Sequence, residues 1–134
     1  MKKIGDEMAH TFTLQEANET LTVILPIMDE IQSIRRTILE HQPELWSMVE
    51  QSAGNGGNLT LSKLQKDFDR FDKLVHQVLD LGIEIKDINT GLIDFPALKD
   101  GRTVYLCWRY KEESIQFWHE IDAGFAGRQP IETF

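Results

Sequence analysis

The chain has 134 residues, with 14 Lys+Arg against 22 Asp+Glu and a formal net charge of −8. That length holds one globular domain, and a 41% hydrophobic content is too high for wholesale disorder. The acidic balance lacks the basic footprint that nucleic acids and anionic membranes require, which excludes both as main partners. The longest apolar run, Val23 to Met28, is far short of the roughly 20 residues of a membrane span. No apolar stretch follows the basic Met1–Asp6 opening, so no secretory signal is expected. Cys107 is the single cysteine, which excludes an intrachain disulfide and a thiolate zinc cage, and the expected home is the reducing cytoplasm. There the Asn58-Leu59-Thr60 glycosylation triplet has no role.

Residues 1–11 carry no pattern and are expected to fray. Thr13 and Glu16 form a capping box, so a helix starts near Leu14. Its stripe runs Leu14, Ala17, Leu21, Ile24, Met28, Ile31, then Arg35, then Ile38, in steps that hold one face. Pro26 predicts a kink within 14–41, and Pro43 suits the first turn of a continuation or short second helix over 43–51. The glycine-rich Ser52–Asn58 stretch reads as a connector, since no Gly-Lys-Ser/Thr closes it into a phosphate loop. A further stripe, Leu61, Leu64, Phe68, Phe71, Val75 and Val78, predicts a helix ending before Gly82. Two striped helices joined by a loop make a helical hairpin, its stripe serving as intrachain core or as a coiled-coil assembly seam.

Beyond Gly82 the period falls to two. Ile83 and Ile85 alternate with Glu84 and Lys86 as in a half-buried strand. Leu92–Ala97 and Arg102–Arg109 flank Asp100-Gly101, the signature of a type I′ hairpin whose central residues need positive φ. That turn sets the register: Lys99 opposite Arg102, Phe95 opposite Leu106, Asp94 opposite Cys107, Ile93 opposite Trp108. Ile93, Phe95, Val104, Leu106 and Trp108 then share an apolar face, expected to lie on the helices. Asp94, Pro96, Tyr105, Cys107 and Arg109 share the other. For a last strand over Ile115–Ile121, apolar matching turns Ile115 and Phe117 inward. Trp118 and Glu120 then join Tyr105 and Arg109 on the outer face, and His119 faces away from Cys107. Asp122–Phe134 reads as loop.

Candidate chemistry is sparse. Cys107 beside Asp94 is a poor nucleophile, because a neighbouring carboxylate disfavours the thiolate. Asp94, His119 and Glu120 are suitable metal-ligand types, but adjacent strand residues point apart and no HxH or HxxxH spacing occurs, so no metal site and no cofactor is expected. Asp94 and Arg109 read as a cross-strand ion pair, or as an arginine held for a carboxylate or phosphate. Gly124 and Gly127 near Arg128 allow an anion nest, with Phe125 as a tail anchor the plainer reading.

Several strings are familiar together: Leu92-Ile93-Asp94-Phe95-Pro96-Ala97-Leu98, Tyr105-Leu106-Cys107-Trp108-Arg109, Trp118-His119 and Asp122-Ala123-Gly124-Phe125-Ala126-Gly127-Arg128, with Phe12–Asn18 at the start. They resemble a prokaryotic family, domain of unknown function 2203 (DUF2203), over most of the chain. Lys111 departs from the pattern at a turn position where glycine is expected. The resemblance implies a small, mainly bacterial, cytoplasmic protein and supplies no reaction. The expected fold is α+β, one domain over 1–134. A long antiparallel helical hairpin (12–81) packs on a three- to four-stranded antiparallel meander (82–121), followed by a C-terminal loop (122–134). The expected function is a non-catalytic protein-interaction or homo-oligomerisation module anchored by Tyr105, Arg109, Trp118 and Glu120, its partner itself or another protein. The alternative is a small-ligand or anion-binding protein, enzymatic or not, with a site around Asp94, Arg109, His119 and Arg128.

Overall fold

The computed structural model describes residues 10–53 and 65–134. The chain start (1–9), most of the glycine-rich connector, the Asn58–Thr60 triplet and the stripe positions Leu61 and Leu64 lie outside the described residues. Among those described, three helices precede a five-stranded antiparallel sheet. The helices are α1 (Leu14–His41), α2 (Pro43–Ser52) and α3 (Gln65–Leu79). The strands are β1 (Glu84–Asp87), β2 (Leu92–Lys99), β3 (Arg102–Arg109), β4 (Phe117–Glu120) and β5 (Gln129–Pro130), in sequential order across the sheet. Two compact units emerge, one from the chain up to Val23 with Gly82–Phe134, the other from Ile24–Leu81. No helix among the described residues is long and apolar enough to cross a membrane.

In the Ile24–Leu81 unit the helices pack together through the predicted stripes. Ile24, Met28, Ile31 and Ile38 of α1 and Phe68, Phe71, Val75 and Val78 of α3 are all buried within the single chain, each worth roughly 1.5–3 kcal/mol. The stripe is therefore intrachain core. Segment 43–51 is a separate helix rather than a continuation, with Pro43 in its first turn. Trp46 of α2 meets Phe71 edge-on at 5.6 Å and lies under the Arg35 guanidinium at 5.7 Å. Pro26 sits inside α1, where it removes one backbone hydrogen bond. On the surface Arg70 forks onto Glu30 at 2.7 and 2.9 Å, which holds the Glu30 carboxyl below its ordinary range.

In the other unit the capping box forms as expected: the Thr13 N–H donates to Glu16 Oε1 at 2.9 Å, and the Glu16 N–H to Thr13 Oγ1 at 3.0 Å. The β2–β3 register is the one set by the turn, from Lys99 opposite Arg102 to Leu92 opposite Arg109. Asp100 and Gly101 both take positive φ, 52° and 79°. Ile93, Phe95, Ala97, Val104, Leu106 and Trp108 form the fully buried apolar face. Phe12 meets Phe95 edge-on at 5.2 Å and hydrogen-bonds the Pro96 carbonyl, and Asn18 of α1 accepts the Ile115 N–H.

Two expectations fail here. The last strand is shorter than predicted, and its faces are reversed: β4 pairs Cys107 with Phe117, Leu106 with Trp118, Tyr105 with His119 and Val104 with Glu120. Directly opposed residues share a face, so Trp118 and Glu120 belong with Leu106, and Phe117 and His119 with Cys107. The larger indole gains more from burial than the phenyl ring does, and its N–H finds Thr133 Oγ1 at 2.8 Å. Phe117 is accommodated on the outer face beneath the Arg128 guanidinium, 4.1 Å from its ring. The tail is also not a plain loop. It contains 3₁₀ turns at Phe125–Gly127 and Ile131–Thr133 and the strand β5, which pairs with β4 and makes five strands where three or four were expected.

Candidate functional site

The reversed register builds a cluster on the outer sheet face. Asp94 from β2, Cys107 from β3 and His119 from β4 are brought to one point. One ligand-type atom from each, a carboxylate oxygen, Sγ and an imidazole nitrogen, lies within 4.8 Å of the others. All three side chains are sealed from solvent, at 1%, 0% and 2% exposure. The expectation that Cys107 and His119 face apart is corrected by this geometry: Cys107 joins Asp94 and His119, while Glu120 lies on the opposite face, as expected of the residue next to His119 on a strand.

His119 is held at both ring nitrogens. Nδ1 lies 2.7 Å from the Glu120 carbonyl oxygen, and Nε2 lies 3.0 and 3.1 Å from the two Asp94 oxygens. A carbonyl and a carboxylate are both acceptors. Facing a carbonyl, Nδ1 is the ring nitrogen that donates its N–H there, and this turns Nε2 to the Asp94 carboxylate. Cys107 adds a thiol that burial, and then the Asp94 charge, pushes up to about 12. The Arg128 charge opposes that shift.

Two further groups flank the cluster. On the β1 side, Lys86 Nζ lies 3.6 Å from Asp94 Oδ2 and 3.1 Å from Glu84 Oε1, and 4.2 Å over the Tyr105 ring. Tyr105 donates its hydroxyl to Glu84 Oε2 at 2.9 Å. Burial, then the Glu84 hydrogen bond, raises the Tyr105 hydroxyl above its ordinary range. Burial pulls the Lys86 ammonium down, but its bond to Glu84 and the charges of Glu84 and Asp94 win, so it too stands above its usual value. On the β4 side, Arg128 forks onto Glu112 at 2.7 and 2.8 Å, reaches the Cys107 carbonyl at 3.3 Å, and stacks between Phe117 and Phe125.

The predicted site residues separate accordingly. Asp94 and His119 meet. Arg128 stands beside them with its charge neutralised by Glu112. The expected Asp94–Arg109 ion pair does not form: Asp94 is taken by His119 and Lys86, while exposed Arg109 lies 5.2 Å over Phe125. Of the expected interface anchors, Tyr105 and Trp118 are buried and Glu120 is forked by Arg102 on the other face. Sequence reasoning missed Glu84, Lys86 and Glu112. The signal for the first two was present, because their alternation with Ile83 and Ile85 already put them on one face.

As chemistry, the cluster offers three different ligand atoms. Both imidazole nitrogens are engaged, and burial raises the Cys107 thiol to about 12, which makes it a poor nucleophile. No curated protein and no solved structure matches the chain. A family model does, over residues 10–131, and the chain belongs to the family it describes, the uncharacterized conserved proteins designated DUF2203.

Proposed function

We propose that the chain is a non-catalytic binding protein whose site is the Asp94–Cys107–His119 cluster and whose ligand is a cation. One observation carries this reading. The His119 Nε2 faces both Asp94 oxygens at 3.0–3.1 Å while Nδ1 is committed to a carbonyl. A positive species must occupy the Nε2–carboxylate gap, either a proton or a cation in its place. The Cys107 sulfur beside that gap is a further ligand atom, superfluous for a simple His–Asp hydrogen bond. An anion has less to recognise, since Arg128 is already neutralised by Glu112 and Lys86 by Glu84. Self-association through the sheet face is left with Arg109 stacked on Phe125, because its two aromatic anchors are buried.

Thermal unfolding with a panel of monovalent and divalent cations, and with inorganic phosphate, tests the reading. A bound cation raises Tm saturably, by about 10 °C when present at a hundredfold excess over its Kd. His119→Gln abolishes the rise, whereas Arg109→Gln leaves it intact. A rise with phosphate and none with any cation overturns the reading in favour of the arginines.

A further inference from the structure

We infer that the cluster is a site for one divalent d-block ion of the zinc type, held by Asp94, Cys107 and His119. This rests on the cation reading above and names the class of ion.

Charge decides the valence. Ligation takes Cys107 as thiolate, Asp94 as carboxylate and His119 through the Nε2 lone pair: the S–H bond breaks, its proton leaves to solvent, and bonds form from the metal to sulfur, nitrogen and oxygen. Thiolate, carboxylate and a doubly charged ion sum to zero, and nothing is oxidised or reduced. A monovalent ion held by the same set would leave one negative charge buried, and a trivalent ion one positive charge. Either is costly at sites 0–2% exposed.

Ligand type decides the class. Magnesium and calcium prefer all-oxygen shells, whereas a sulfur, an imidazole nitrogen and a carboxylate oxygen suit zinc or cobalt. Bond lengths of about 2.0–2.3 Å put the ligands of such an ion roughly 3.3–3.8 Å apart. His119 and Asp94 are already at 3.0 Å, and no ligand pair needs to close from beyond 4.8 Å. The surroundings are those of a ligating set. The Glu120 carbonyl fixes His119 with Nε2 turned to the site, and the Arg128 charge, held beside Cys107 by a bond to its carbonyl oxygen, favours the thiolate form. Lys86, with its side chain 35% exposed, is the like charge that the ion meets. Its ammonium can swing fully to Glu84.

The test is titration of the intact chain with cobalt(II) and zinc(II), and with magnesium and calcium in parallel. Proton release is followed in weakly buffered solution at neutral pH. The inference predicts one cobalt ion per chain, a near-ultraviolet sulfur-to-cobalt charge-transfer band, and release of the thiol proton as the ion binds. Zinc displaces cobalt and removes the band. Cys107→Ser loses the band and releases about one proton fewer. Lys86→Gln binds about tenfold more tightly. Cobalt bound without a charge-transfer band, or without proton release, places the ion on surface carboxylates and overturns the inference. Binding of magnesium or calcium alone overturns the class of ion while leaving a cation site standing. No binding by any of the four removes the site as well.

Discussion

At single residues, backbone and side-chain chemistry disagree at one informative place. Lys111 takes φ +91°, a conformation in which a Cβ crowds the backbone and glycine is the natural occupant. It closes the turn in which the Glu112 N–H reaches the Arg109 carbonyl at 3.0 Å. Across this turn Trp108 Nε1 donates to the Glu112 carbonyl and the Arg109 N–H to Glu112 Oε1, at 2.8 Å each. The chain accepts the conformational cost. Lys111→Gly is therefore expected to raise stability by about 0.5–1 kcal/mol, the relief of the left-handed conformation less the added freedom of an unfolded glycine. Urea denaturation checks this, and an unchanged or lowered midpoint contradicts it.

At the scale of elements, legibility followed the connections. Where a two-residue turn joins strands, as at Asp100-Gly101, the register from Leu92 to Arg109 could be read residue by residue. Where β3 and β4 are joined by the longer Tyr110–Gln116 segment, parity was free. Apolar matching alone chose Phe117 over Trp118, because both are large and aromatic and only the indole N–H partner in the tail separates them. That single inversion hid the meeting of Cys107 with His119. The same segment carries Glu112, which ties β3 to the tail through Arg128. Burial works to raise the Glu112 carboxyl, but the Arg128 fork, the Arg109 N–H and their charges outweigh it and hold it below the usual range. A depressed carboxylate stabilises the fold above its unfolded value near about 4.3, and that stabilisation is lost as pH falls through the lower folded value. Glu112→Gln is thus expected to cost about 2 kcal/mol at pH 7 and to lose less stability than the parent as pH drops below about 4.5. Parallel stability–pH curves for the two proteins would count against this assignment.

At the scale of the whole molecule, the α+β order, the capping box, the helical stripes and the apolar sheet face were all legible, because each repeats a local rule over many residues. The site was not, because it is made by three residues on three strands, and a one-residue slip in any of them disperses it. All three ligands lie in the unit containing the sheet, so the account places ion binding and the sheet register in one structure: β4 can donate His119 only in the pairing described here. The most direct measurement is anomalous diffraction at the zinc edge from crystals of the intact chain grown with zinc. The account predicts one strong peak, within bonding distance of Asp94, Cys107 and His119. A peak confined to surface carboxylates, with His119 Nε2 still facing Asp94, would contradict it.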